Sequence, residues 1–244
     1  MKSLPPSLAR RCRFRPELFV PLLAGRSRIG WLRPELAARL AGWPQVFASN
    51  ADQVTLLRPE ALAEVLQTLA AEGFIPGWRN ELYACEGGFD IERAAARPFG
   101  LRTQAVHVNG VVGGGAMWLA RRSPTKPIDP GLLDNLVGGG VSSGLSLEQV
   151  LIKEAWEEAG IPTELARRAR RGGTAQILRE VPQGVQSELL HVYDLELPSD
   201  FEPRNHDGEV SEFLLVDLLE LEMHELTLEA ELAAKDYLMR AKAP

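Results

Sequence analysis

The 244-residue chain is 45% hydrophobic and 25% charged, close to globular averages, which excludes global disorder. Its length admits one large domain or two small ones and a full core without disulfide staples. With only Cys12 and Cys85 there is neither a disulfide framework nor a cysteine-rich zinc site, and a reducing, cytoplasmic setting is expected.

The net charge of −6 is unevenly spread: residues 1–100 hold 13 basic and 10 acidic residues, and residues 101–244 hold 14 and 23. An acidic C-terminal part argues against a nucleic-acid partner, which needs a positive surface. No apolar run approaches the roughly 18 residues that span a bilayer, so no membrane partner is expected. Near the N-terminus, Arg10, Arg11, Arg13 and Arg15 precede an apolar stretch at 18–24 that faintly looks like a leader. It is short, carries Pro21, and runs into Arg26 and Arg28 without a small-x-small cleavage site, so it reads as a strand.

In chain order, strands are expected at 18–23 and 27–32, joined by a turn at Gly25. Pro34 opens a helix with Leu36, Ala37 and Leu40 on one face. A strand follows at 54–57. Pro59 then starts a second helix with the stripe Leu62, Val65, Leu66 and Leu69, ended by Gly73. Pro98 and Gly100 break the pattern at 94–100 and mark a boundary. Strands at 103–109 and 116–120 flank a glycine turn at 113–115, further strands are expected at 188–196 and 210–216, and a last helix at 225–239.

The specific chemistry converges on residues 138–161, GGGVSSGLSLEQVLIKEAWEEAGI. Ser146 is a good N-cap with Gln149 three residues on, a capping-box pattern. Gly160 suits the left-handed position after the last turn, and Pro162 bars continuation. At about 100° per residue from Leu147, Val150 and Leu151 fall near 300° and 40°, while Glu154, Glu157 and Glu158 fall near 340°, 280° and 20°. The carboxylates thus continue the apolar stripe, where like charges at i,i+3 and i,i+4 repel. A divalent cation resolves the conflict, and oxygen-loving Mg²⁺ fits best. An ordinary acidic surface helix has the same composition, so helix geometry by itself leaves both readings open.

The full pattern resembles the Nudix box: glycine, five residues, Glu, seven residues, then Arg-Glu-apolar-x-Glu-Glu-x-Gly-apolar. Gly139, Glu154, Ala155, Glu157, Glu158, Gly160 and Ile161 stand at matching positions. Lys153 replaces the Arg, keeping charge but losing the bidentate fork, and Leu145 replaces the first Glu. Other segments are similar to one Nudix subgroup that also occurs fused to thiamin pyrophosphokinase in fungi and uses Lys at that place. They are Phe19-Val20-Pro21, the run from Gly30 through Trp31 to Leu36, Gly77-Trp78-Arg79-Asn80-Glu81, Ile91-Glu92-Arg93-Ala94, Val106-His107-Val108-Asn109-Gly110, Leu133-Asp134-Asn135 and Asp207-Gly208-Glu209-Val210.

The resemblance implies an α/β fold: a Nudix α/β/α sandwich with a mixed sheet over residues 99–244, after a smaller α+β domain at 1–98 expected to help close the substrate pocket. It also implies Mg²⁺-dependent hydrolysis, with Mn²⁺ as a substitute, of a small X-linked diphosphate to a monophosphate; thiamin diphosphate or altered forms of it are the natural suspects. Glu154, Glu157 and Glu158 are the expected metal ligands. Glu209 stands where Nudix enzymes often place a further ligand or base, and Glu212 is its rival.

For substrate contact, Gly139 and Gly140 let backbone approach a phosphate closely. His107 and Asn109 share one face of a strand, facing either substrate or the interior. Trp78 and Arg79 suit an aromatic diphosphate, though a domain interface would use the same pair. Arg93 and Arg121 are phosphate candidates or plain surface residues. His191, His206 and His224 lack metal-ligand spacing.

Two alternatives stand beside the hydrolase. A Nudix-fold isopentenyl-diphosphate isomerase would need a Cys-containing motif that Cys85 lacks. A non-catalytic ligand-binding or sensor protein is the stronger rival, favoured by Leu145 and opposed by the three retained carboxylates. A homodimer is left open.

Overall fold

The computed structural model describes residues 6–85 and 87–241, excepting the side chains of residues 6, 7 and 9. The chain forms two compact units. One comprises Met1–Thr103 with Ser142–Gly144 and Gln176–Leu189; the other comprises Gln104–Val141, Leu145–Ala175 and Leu190–Pro244.

In the first unit, α1 (Pro6–Arg11) precedes a hairpin of β1 (Val20–Ala24) and β2 (Ser27–Leu32). The strand expected from residue 18 begins two residues later because Pro16–Leu18 forms a 3₁₀ turn, with the Phe19 N–H on the Pro16 carbonyl. Next come α2 (Pro34–Leu40), β3 (Phe47–Ser49), β4 (Val54–Leu56) and α3 (Leu62–Ala71). The four strands lie in the order β2-β1-β4-β3, β1 and β4 running parallel. Leu62, Val65, Leu66 and Leu69 of α3 are all buried, in one core with Leu22, Leu32, Leu40 and Phe47. A small hairpin, β5 (Leu82–Cys85) with β6 (Phe89–Glu92), completes this part.

The remaining strands are β7 (Arg102–Val112), β8 (Ala116–Arg122), β9 (Leu133–Asn135), β10 (Val137–Gly140), β11 (Arg170–Val181), β12 (Gly184–Leu197) and β13 (Val210–Asp217). They form one sheet in the order β11-β12-β7-β8-β13, with β10 beside β7 and β9 beside β8. Strands β7 and β8 pair directly only beside their turn, from Gly110↔Trp118 to Val112↔Ala116. They then splay, and residues 133–140 enter between them: β9 pairs β8 and β10 pairs β7. This wedge carries the glycine triplet into the sheet's centre.

Three helices accompany this sheet: α4 (Leu147–Ala159), α5 (Thr163–Ala166) and α6 (Leu228–Ala241). Even-numbered Val106 and Val108 of β7 pack in one cluster with Val150, Leu151 and Ala155 of α4. Odd-numbered Val111 packs with Ala230 and Ala234 of α6, and Ala105 with Ala233. Alternate strand residues face opposite sides, so α4 and α6 cover opposite faces. This is the α/β/α sandwich that the sequence resemblance implies.

The ends of α4 are as expected. Ser146 Oγ accepts the Gln149 N–H at 3.2 Å, Gln149 Oε1 accepts the Ser146 N–H at 2.8 Å, and Gly160 lies at φ 64°. Replacing Ser146 by alanine leaves a first-turn N–H without its acceptor and should cost about 1 kcal/mol. Urea denaturation checks this: the midpoint should fall with an unchanged slope.

The last helix and β11 are among the elements that differ from the sequence expectation. The last helix starts at Leu228, not 225, because residues 225–227 form a parallel bridge to Leu133, whose N–H donates to the Glu225 carbonyl at 3.2 Å and whose carbonyl accepts the Thr227 N–H at 2.8 Å. Thr227 Oγ1 then caps the helix through the Ala230 N–H. Strand β11 was not foreseen: of its twelve residues only Ile177 is fully buried, so no apolar alternation marks it.

Candidate active site

Helix α4 and the wedge strand meet where the glycines lie. A side chain at Gly139 would run into Glu154, whose Oε1 would be 2.9 Å from the added Cβ. One turn on, the nearly buried Glu158 accepts the Gly138 N–H at 2.7 Å. The glycine strand therefore brings α4 close and supplies a backbone donor to one of its carboxylates.

Burial pushes the Glu158 carboxyl well above its ordinary value, and the charges of Glu154 and Asp134 push the same way; the Gly138 N–H and Lys126 pull against them. Burial also raises Glu154, opposed by Lys153 and reinforced by Glu157 and Glu209. Lys153 bridges its neighbours, 3.1 Å from Glu154 and 2.7 Å from the more exposed Glu157.

A second source of acids is the segment after β12. Asp207 Oδ1 accepts the Glu209 N–H at 2.8 Å, and Asn205 Oδ1 accepts the Gly208 N–H at 2.7 Å, which shapes a tight turn. That turn sets carboxylate oxygens of Glu158, Asp207 and Glu209 within 4.8 Å of one another. Glu209 is in contact with the Lys126 ammonium. Arg122, Lys126, Asp134, Asn135, Glu158 and Glu209 line one small cavity.

An all-carboxylate donor set suits a hard, oxygen-loving divalent ion. The lysine ammonium among the acids is a cationic stand-in, showing that this pocket takes positive charge. Of the sequence candidates, Glu158 and Glu209 meet in this cluster, Glu154 lies against Gly139, and Glu157 joins Glu154 through Lys153. Glu212 does not: it lies on β13 and pairs with Arg121 at 2.6 Å.

His107 and Asn109 are interior. His107 Nδ1 lies 2.9 Å from Asn135 Oδ1, and Asn109 Nδ2 donates to Asp194 and to the Ala233 carbonyl of α6. Asn109 has no exposed surface. In the first unit, Trp78 packs on the core and donates to Asn80, the Arg79 N–H donates to Glu92, and Arg93 pairs with Glu81 at 2.7 Å. Asp207 and Lys126 were not singled out from the sequence. The Asp207-Gly208-Glu209 turn was the available signal for Asp207; nothing local marks Lys126.

These shifts carry a sign. A carboxyl whose folded value is raised is favourable to the fold below the ordinary value of 4.5. That contribution is lost as pH rises from there through the raised value. A bound divalent ion offsets the loss. The melting-temperature gain from Mg²⁺ should therefore be larger at pH 8 than at pH 5, measured as the difference between paired melts with MgCl₂ and with EDTA. A gain independent of pH would remove these two acids from the ion's site.

Comparison with known proteins follows the same outline. The family described as "NUDIX domain" matches residues 101–239, and "Domain of unknown function (DUF4743)" matches residues 7–103. The chain is 37% identical over 222 residues to Nudix hydrolase 24, chloroplastic, from Arabidopsis thaliana, covering 83% of this chain and 61% of that protein. It is 36% identical over 229 residues to Nudix hydrolase 20, chloroplastic, from the same plant, with the same coverage. The chain thus spans about three-fifths of these relatives' length. The crystal structure of DR0079 from Deinococcus radiodurans aligns with a TM-score of 0.50 at 26% identity, covering 64% of this chain and 99% of that one.

Proposed function

Because the chain belongs to the Nudix family, matched over residues 101–239, we propose that it is a Mg²⁺-dependent hydrolase of a small X-linked diphosphate, releasing a monophosphate. The observation that carries this reading is the convergence of Glu158, Asp207 and Glu209 at the glycine strand that also contacts Glu154. Glu154, Glu157, Glu158 and Glu209, with Asp207 beside them, would hold the ion. An ion held there, Mg²⁺ or Mn²⁺ in its place, would supply charge neutralisation for the diphosphate and a more acidic water. Glu209, more exposed than the buried Glu158, would take the proton from the attacking water. Backbone at Gly139 and Gly140 approaches the phosphates, with Lys153 keeping Glu154 and Glu157 in place.

For the organic part of the substrate, we assign thiamin diphosphate or an altered form of it. The support is the similarity of the N-terminal motifs, Gly77 to Glu81 among them, to the subgroup found fused to thiamin pyrophosphokinase in fungi. A chain whose cysteines are Cys12 and Cys85 alone suits a reducing compartment, the cytoplasm in our reading. No helix among the described residues is long and apolar enough to cross a membrane.

The test is product release with Mg²⁺ or EDTA across thiamin diphosphate, its oxidised analogues, ADP-ribose, NADH, dinucleoside polyphosphates and nucleoside triphosphates. Mg²⁺-dependent monophosphate release is expected, fastest from a thiamin-type substrate. Turnover of nucleotides alone would overturn the thiamin assignment and keep the hydrolase. Ligand binding without turnover of any substrate would favour a sensor, and the partly exposed Leu145, standing at a Nudix-box Glu position, would be the first residue to revert.

A further inference from the structure

We propose that Lys126 is a built-in counter-ion of the carboxylate cluster: it holds Glu209, yields it to a divalent ion that binds among the acids, and turns its ammonium to the substrate's phosphate oxygens. The inference rests on the metal reading above and adds a phosphate-binding residue to it.

Lys126 lies on the loop after β8, tied back by its N–H to the Ser123 carbonyl at 3.0 Å; the Ser123 N–H in turn bonds the Glu209 carbonyl at 2.8 Å. Loop and acid are therefore held together through backbone, whatever their side chains do. The Lys126 side chain is only 17% exposed, so a nearby anion offsets hydration that it has lost. Among the described residues its ion-pair partner is Glu209, and its charge also reaches the buried Glu158.

The other cation in the same cavity is fixed. Arg122 donates Nε and Nη2 to the Ile128 carbonyl at 3.2 and 2.9 Å and Nη1 to Asp134 at 2.9 Å. Arg122 is thus spent on structure, whereas Lys126 is a point charge on a flexible four-carbon stem. A divalent ion entering among Glu158, Asp207 and Glu209 would compete with that ammonium directly. Lysine freed beside a diphosphate is a natural point-charge partner for it.

Metal affinity of the full chain tests this, read by Mg²⁺-induced thermal shift and by Mn²⁺ electron paramagnetic resonance. Lys126→Met should bind both ions about three- to fivefold tighter than wild type, the scale of a partly exposed ion pair, while Lys126→Arg should stay within about twofold. Equal or weaker binding in Lys126→Met overturns the proposal and leaves the metal reading standing. Absence of ion binding in wild type and Lys126→Met alike overturns both.

A measurement on wild type guards against a variant that does not fold. Labelling of Lys126 by an amine-acylating reagent, followed by mass spectrometry, should rise on adding Mg²⁺ and fall again when inorganic pyrophosphate joins it. Labelling that ignores Mg²⁺ contradicts release from Glu209. Labelling that ignores pyrophosphate contradicts the turn to phosphate.

Discussion

Glu158→Gln should lower Mg²⁺-dependent diphosphate hydrolysis at least about 10²-fold while leaving the metal-free protein as stable as wild type, or more so. The two effects have opposite signs because the same charge causes both. Glu158 is buried beside Glu154 and Asp134, and burial is the largest reason its carboxyl titrates so high. Glutamine removes that unfavourable charge and keeps an oxygen to accept the Gly138 N–H. It also removes an anionic ligand whose oxygen lies within 4.8 Å of Asp207 and Glu209 oxygens. Steady-state kinetics and calorimetry in EDTA decide the matter. Wild-type turnover in the variant would take Glu158 out of the site, and a large drop in melting temperature would make it a structural residue first.

Gly139→Ala should cost turnover by about 10²-fold and stability by about 1–3 kcal/mol, the range for overpacking a filled site. The added methyl would overlap the Glu154 side chain, which is 16% exposed and already bonded to Lys153 at 3.1 Å. Either Glu154 leaves its place or the glycine strand shifts away from α4, and both disturb a carboxylate that α4 sets against that strand. Gly115→Ala serves as the control, since a Cβ there meets nothing within 4 Å. Comparable losses in both variants would point to general strain in the sheet instead of a specific collision at Glu154.

The contrast between His107 and Asn109 on one side and Glu209 on the other shows how far the sequence reaches. A period of two places His107 and Asn109 on one face of β7, but it does not say what covers that face. Helix α6, more than a hundred residues later, covers it: its Ala233 carbonyl takes the Asn109 amide at 3.1 Å. The choice between Glu209 and Glu212 likewise turns on pairing. Register on β13 sets Glu212 opposite Arg121, which holds it in an exposed ion pair, while the turn before β13 returns Glu209 to the helix acids. Strand β11 was illegible for a related reason. Its residues are mostly part-exposed, so its extended form comes from its place beside β12 and not from an apolar pattern.

Sequence alone determined the carboxylate helix. Its start at Ser146, its stop at Gly160 and the run of Glu154, Glu157 and Glu158 along its stripe follow from interactions between residues three or four apart, which any short window contains. Tertiary structure decided which acids meet and which cation joins them. Lys126 and Glu209 are 83 residues apart and are brought together when β13 pairs with β8, just as Glu158 finds Gly138 once the wedge strand enters between β7 and β8. Such meetings depend on sheet order and register, which long-range pairing settles and no local spacing encodes.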